Sequence, residues 1–141
     1  MNEFANNVTF KYESLDEAFP SCDPRVMPFG SRILIQLKTP KKVTKGGILL
    51  TDDVRETEKY NTQVAKVVAV GELAFKNRNT MTSWPEGSWA VEGDYVRVPK
   101  YGGDRWTVLA DTGDEALFVI FNDLDLVGKV TGDPLAIKAF L

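Results

Sequence analysis

The chain has 141 residues, 43% of them hydrophobic and 26% charged, with a formal net charge of -3. That composition fits one ordinary globular domain with a modest core, not a disordered chain, and its negative balance argues against general nucleic-acid binding. With no histidine, Ser-His-Asp and Cys-His catalysis and the commonest zinc ligand are excluded, and the single cysteine, Cys22, excludes an intrachain disulfide and a cysteine-cluster metal site.

Residues 1–27 read as an N-terminal extension, polar and broken by Pro20 and Pro24. Ser14-Leu15-Asp16-Glu17 fits a capping box and predicts one short helix over 14–19. The extension is either flexible decoration, which its polar texture favours, or a cover over part of the domain or a neighbouring subunit. The first residues lack the basic and apolar regions of a signal peptide. No apolar run approaches the ~20 residues that span a bilayer. A cytoplasmic protein without membrane contact is expected.

From Pro28 the texture changes to short strands. The first is 32–37, with Ile33, Ile35 and Leu37 on one face and Leu34 on the other, so the second face is partly covered too. A second covers 63–70 and ends at Gly71; a third covers 95–98, launched by Gly93-Asp94. Two more, 106–109 and 116–121, are separated by a turn at 111–114. All are rich in β-branched or aromatic residues and punctuated by glycine. The fold expected for 28–130 is a small irregular antiparallel β-barrel, followed by a C-terminal tail over 131–141.

Two long connections interrupt this barrel, and long loops in a small domain are usually functional or disordered. Residues 72–92 carry Phe75, Met81, Trp84 and Trp89. The surroundings are not basic enough for Trp84 and Trp89 to stack on bases; packing the loop onto the barrel suits them better. Trp106, within a strand, reads as core. Residues 38–60 contain Lys45-Gly46-Gly47-Ile48-Leu49-Leu50. Two glycines free the backbone, and three aliphatic side chains follow between a basic flank and a charged one. The triplet is either a short buried strand after a Gly-Gly turn or a docking element, and its polar setting favours docking. Burying three such side chains returns roughly 5–9 kcal/mol gross, set against about 1–2 kcal/mol per residue ordered. One such loop binds weakly; several on one ring bind well.

Catalytic chemistry finds no support. Asp111, Asp114, Glu115, Asp123 and Asp125 surround Gly113 and Asn122 and read as solvated turns, not as acid–base pairs. Asp123-Leu124-Asp125 lacks the rest of a calcium loop, and Gly102-Gly103-Asp104 lacks the Lys-Ser/Thr of a phosphate loop. No catalytic residue, metal ligand or cofactor is expected, and the chain does not read as an enzyme.

Six motifs in chain order carry a family resemblance. They are Gly30-Ser31-Arg32-Ile33-Leu34-Ile35, Thr44-Lys45-Gly46-Gly47-Ile48-Leu49-Leu50, Val67-Val68-Ala69-Val70-Gly71 and Val91-Glu92-Gly93-Asp94-Tyr95-Val96. Asp114-Glu115-Ala116-Leu117-Phe118-Val119-Ile120 and Asp123-Leu124-Asp125-Leu126-Val127 complete the series as closing strands. Together they resemble the GroES-type co-chaperonins over residues 28–130. The resemblance implies a β-barrel that assembles into a seven-membered ring, the N-terminal region of one subunit pairing with the C-terminal strand of the next. Here those regions are 26–33 and 124–130, with Ile33, Leu124, Leu126 and Val127 as interface residues. It further implies a lid that caps a GroEL-type chaperonin and closes the chamber in which an unfolded client protein folds. Gly46, Gly47, Ile48, Leu49 and Leu50 would be the chaperonin-binding residues. Nucleotide would bind the partner, so the lid needs no cofactor.

This sequence departs from the family at both ends and at 72–92, where the family's roof hairpin lies but no clear Asn-Gly turn is present. Added ends suggest a bacteriophage-encoded version that adapts a host chaperonin in the host cytoplasm, for a large client such as a capsid protein. The alternative is a viral structural or assembly protein that uses the barrel as a ring without chaperonin binding. An alcohol dehydrogenase, which carries a related barrel, would need a nucleotide domain that does not fit in this length and often a Cys/His zinc site.

Overall fold

Each of the β-branched runs forms a strand in the computed structural model of the protein, which describes residues 14–39 and 63–137. The strands are β1 (Arg32–Leu37), β2 (Val64–Val70), β3 (Tyr95–Arg97), β4 (Asp104–Leu109), β5 (Glu115–Asn122) and the short β6 (Gly128–Lys129). They pair antiparallel in the order β4-β5-β1-β2-β3-β6. The result is the expected all-β, irregular antiparallel barrel. β4 begins at Asp104, two residues before the strand read from sequence, because Asp104 and Arg105 pair with Ile120 and Val119. Past β5 the chain forms a 3-10 turn, Asp123–Asp125, where the resemblance implied a continuing closing strand.

Central position explains why β1 is buried on both faces. Ile33, Ile35 and Leu37 point into the main core with Val67, Val96, Leu117, Val119 and Phe121. Leu34 faces the other way, against Ala116 and Phe118. A register shift between Leu34 and Ile35 pairs Ile35 with Val67 and Leu34 with Ala69, leaving Val68 as the extra residue of a bulge on β2. The bulge lets Val67 and Val70 both meet the main core, which is why 67–70 reads as an unbroken aliphatic run. Gly71 then passes so close to Gly30 that a Cβ there would collide with the Gly30 and Arg32 carbonyls. Only glycine fits that crossing.

The second face is covered by the extension, the less favoured of the two roles read from sequence. Ser14 caps a four-residue helix, α1 (Leu15–Ala18), its hydroxyl accepting from the Glu17 N–H at 3.2 Å. The capping box read from sequence is therefore correct in its N-cap half. Beyond α1 the chain runs across β1 and β4, offering backbone carbonyls to buried donors. Gln36 Nε2 donates to Pro20 O at 2.8 Å and Trp106 Nε1 donates to Pro24 O at 2.8 Å. Trp106 is therefore half-buried on the covered outer face, stacked on Phe118, and lies outside the main core.

The 72–92 connection is a minimal hairpin. One bridge joins Lys76 to Ser83. Its turn is closed by Asn77, whose Oδ1 accepts from the Asn79 and Thr80 N–H groups at 2.9 and 3.3 Å. An asparagine side chain thus does what an Asn-Gly turn would do. Phe75, Trp84 and Trp89 pack edge to face and tilted over one end of the core, as the loop's tryptophans suggested.

Candidate functional site

The docking residues read from sequence, Gly46, Gly47, Ile48, Leu49 and Leu50, lie outside the described residues. The structure describes the two points from which their segment springs. Thr39 follows β1 and Gln63 precedes β2, and the adjoining strand ends are joined by the Leu37–Ala65 pair. Gln63 is fixed to β3, its carbonyl accepting from the Val98 N–H at 2.8 Å. On the other side the Thr39 N–H donates to the Ala18 carbonyl of α1 at 2.7 Å.

A small apolar cluster sits beside these points. Ala18, Phe19 and Val64 are buried together, with Tyr95, Val130, Leu135 and Ile137 packed against them. The Phe19 and Tyr95 rings lie 5.3 Å apart at 60°, a favourable tilted geometry. Burial, and then the nearby Asp16 carboxylate, holds the Tyr95 phenol above its ordinary pKa, so it stays neutral at physiological pH. Cys22 lies on the other covered face; burial raises its thiol pKa, and Arg25 works in the opposite direction.

The expected interface residues divide into two kinds. Ile33 is buried in this chain's own core, so its side chain offers no surface to a neighbour, whereas Leu126 packs in that core and also lines the cleft that holds Val127. For Ile33 this corrects the assignment made from sequence, since it occupies an inward position in a central strand. Leu124 and Val127, on the intervening outward positions, are 69% and 68% exposed. Val127 lines a cleft of about 280 Å³ with Trp89, Val96 and Lys129. A second cleft, about 390 Å³, lies at the β4–β5 end of the sheet between Phe121, Ile120 and Gly103 on one side and Val26, Met27 and Phe29 on the other. Met27 and Phe29 are 71% and 81% exposed; both fall within 26–33, the subunit-contact region that the resemblance implies, although neither was named as an interface residue from sequence. The apolar run Val26-Met27 and Phe29 around Pro28, between the extension and the first strand, was the available signal.

Asp123 is not a solvated turn residue. It is 5% exposed, and its two oxygens accept from the Phe75 N–H at 2.9 Å and the Leu124 N–H at 2.8 Å. The carboxylate ties the hairpin connection to the end of β5. Asp125 accepts from the Asn122 N–H, and Asp114 from the Thr112 hydroxyl, both at exposed turns as expected.

Residues 25–130 match the family described as chaperonin 10 Kd subunit. The chain belongs to that family. Among its relatives, a co-chaperonin GroES of Streptococcus mutans is 34% identical over 92 residues, covering 65% of this chain and 85% of that protein. One of Staphylococcus aureus is 32% identical over 103 residues, covering 73% and 96%. One of Methylacidiphilum infernorum is 29% identical over 110 residues, covering 78% and 98%. The match therefore takes in the whole barrel and the 38–60 segment, and leaves α1 and the C-terminal turn outside it. Co-chaperonins of this family are not enzymes, and the acidic turns described above hold backbone amides and hydroxyls. No helix among the described residues is long and apolar enough to cross a membrane.

Proposed function

We propose that the protein is a ring-forming lid for a GroEL-type chaperonin and docks through Ile48, Leu49 and Leu50. The observation that carries this reading is a family match whose bounds, 25–130, enclose Gly46-Gly47-Ile48-Leu49-Leu50, together with relatives named as co-chaperonins. The two apolar clefts support the ring. They lie at different parts of the sheet, one at the end of β4 and β5 and one beside β3 and β6, and a head-to-tail ring needs two unlike patches on each subunit. On this reading nucleotide acts on the partner, the client is an unfolded protein inside the closed chamber, and the lid works in the cytoplasm beside its chaperonin.

The test is co-sedimentation with a GroEL-type double ring, with and without adenine nucleotide, for the wild type and for Leu49→Ser. Nucleotide-dependent binding is expected for the wild type. Leu49→Ser loses one buried aliphatic per docked subunit, about 1.5–3 kcal/mol each, and the loss repeats around the ring, so binding at micromolar concentration disappears. Its unfolding midpoint stays at the wild-type value. A large drop in stability would mean that Leu49 is a core residue. A folded wild type that binds no such double ring would favour a ring with a purely structural role.

A further inference from the structure

Thr39 and Gln63 are the described residues on either side of 40–62, and segments from both ends of the chain meet beside them. From the N-terminal side, the Ala18 carbonyl accepts the Thr39 N–H, and Ala18 and Phe19 pack on Val64, the first residue of β2. From the C-terminal side, Leu135 and Ile137 pack on the same cluster, and Lys38 Nζ donates to Ile137 O at 3.4 Å. α1 has four residues and the C-terminal 3-10 turn, Pro134–Ala136, has three. Elements this short do not hold together alone in water, so each depends on this contact for its structure. Both lie outside residues 25–130, the part shared with the family. Two additions at opposite ends of the sequence therefore converge on the root of one segment.

We propose that α1 and the C-terminal turn form a clasp that fixes the two roots of residues 40–62, with Phe19 as a positioning residue for docking on the chaperonin. This rests on the lid reading above. The physical reason is conformational entropy. A docking segment must be ordered when it binds, and each further residue that has to be ordered costs roughly 5- to 30-fold in affinity. Roots already held in the free protein carry no such cost. If the clasp opens, Lys38 and Thr39 have to be ordered again when the protein docks. The clasp thus sets docking strength without touching the partner.

The experiment uses the full chain and four variants: Phe19→Ala, Leu135→Ala, the double variant, and Val108→Ala as a control on the opposite covered face. Amide exchange at Thr39 is read in the free protein, and affinity for a GroEL-type double ring is read with adenine nucleotide. Both single clasp variants are expected to exchange faster at Thr39 and to bind at least about fivefold more weakly. The double variant should lose less than the product of the two, because either change opens the same clasp. Val108→Ala should lose stability and keep wild-type affinity. If Phe19→Ala does not fold, the half-buried Leu135→Ala carries the comparison. Faster exchange at Thr39 with unchanged affinity overturns the clasp and leaves the lid standing. So does an equal loss of affinity in Val108→Ala. A wild type that does not bind overturns the lid and the clasp together.

Discussion

Asp123 shows how one side chain can join two distant stretches of chain. Its oxygens take the N–H of Phe75, 48 residues away, and of Leu124, its neighbour. Phe75 has φ 58°, a left-handed conformation that a bulky aromatic adopts only under constraint. The carboxylate holds that conformation by taking a buried N–H that would otherwise have no strand to pair with. Asp123→Ala is expected to lose both charge-assisted bonds and leave the Phe75 N–H buried without an acceptor, at a cost of about 2–4 kcal/mol. Asp123→Asn keeps an oxygen for one N–H and should cost about half as much. Urea unfolding of the three proteins measures the series; equal stability of all three would mean that the ring packing of Phe75 alone holds the connection. None of this is legible locally, because Asn122-Asp123-Leu124-Asp125 reads as a turn whether or not an amide from another loop arrives to use its carboxylate.

At the scale of elements, the strands were readable and the contacts of the extension were not. The near-continuous apolar runs at 32–37 and 116–121 report burial on two faces directly, and Leu34 on the off face pointed to a second covered surface. What covers it is an irregular stretch that bonds through the carbonyls of Pro20 and Pro24. Every residue has a carbonyl, so no sequence pattern marks the ones that are used. The readable half of each bond is the donor: a glutamine in an otherwise aliphatic strand and a tryptophan in a half-buried one. Trp106→Phe keeps the stack on Phe118 and removes the N–H. It is expected to cost about 1 kcal/mol overall and to loosen the extension selectively. Limited proteolysis should then cut near Pro24 faster than in the wild type, while amide exchange in β1 and β5 stays slow. Uniformly faster exchange across the barrel would show instead that Trp106 supports the whole sheet.

For the whole molecule, assembly and docking are one problem. Three aliphatic side chains on one segment return roughly 5–9 kcal/mol gross, much of it offset by ordering the backbone that presents them. On the proposed lid reading a lone subunit binds weakly, and useful affinity requires several segments held on one ring. On the same reading, the exposed pair Met27 and Phe29, beside the cleft that also holds Phe121, is where a neighbouring subunit would bury apolar surface. Phe29 is 81% exposed, so Phe29→Ser should leave thermal unfolding of the barrel nearly unchanged, within about 0.5 kcal/mol. Sedimentation velocity should show the ring giving way to smaller species at low micromolar concentration. Chaperonin binding should fall with it, although Ile48, Leu49 and Leu50 are intact. The comparison with Leu49→Ser separates the two halves of the mechanism, since that variant keeps the ring and loses the docking. A Phe29→Ser protein that stays a ring would place the subunit contact on the Leu124 and Val127 side alone. One that becomes monomeric yet still binds the chaperonin would show that a single segment suffices and that multivalency does not supply the affinity.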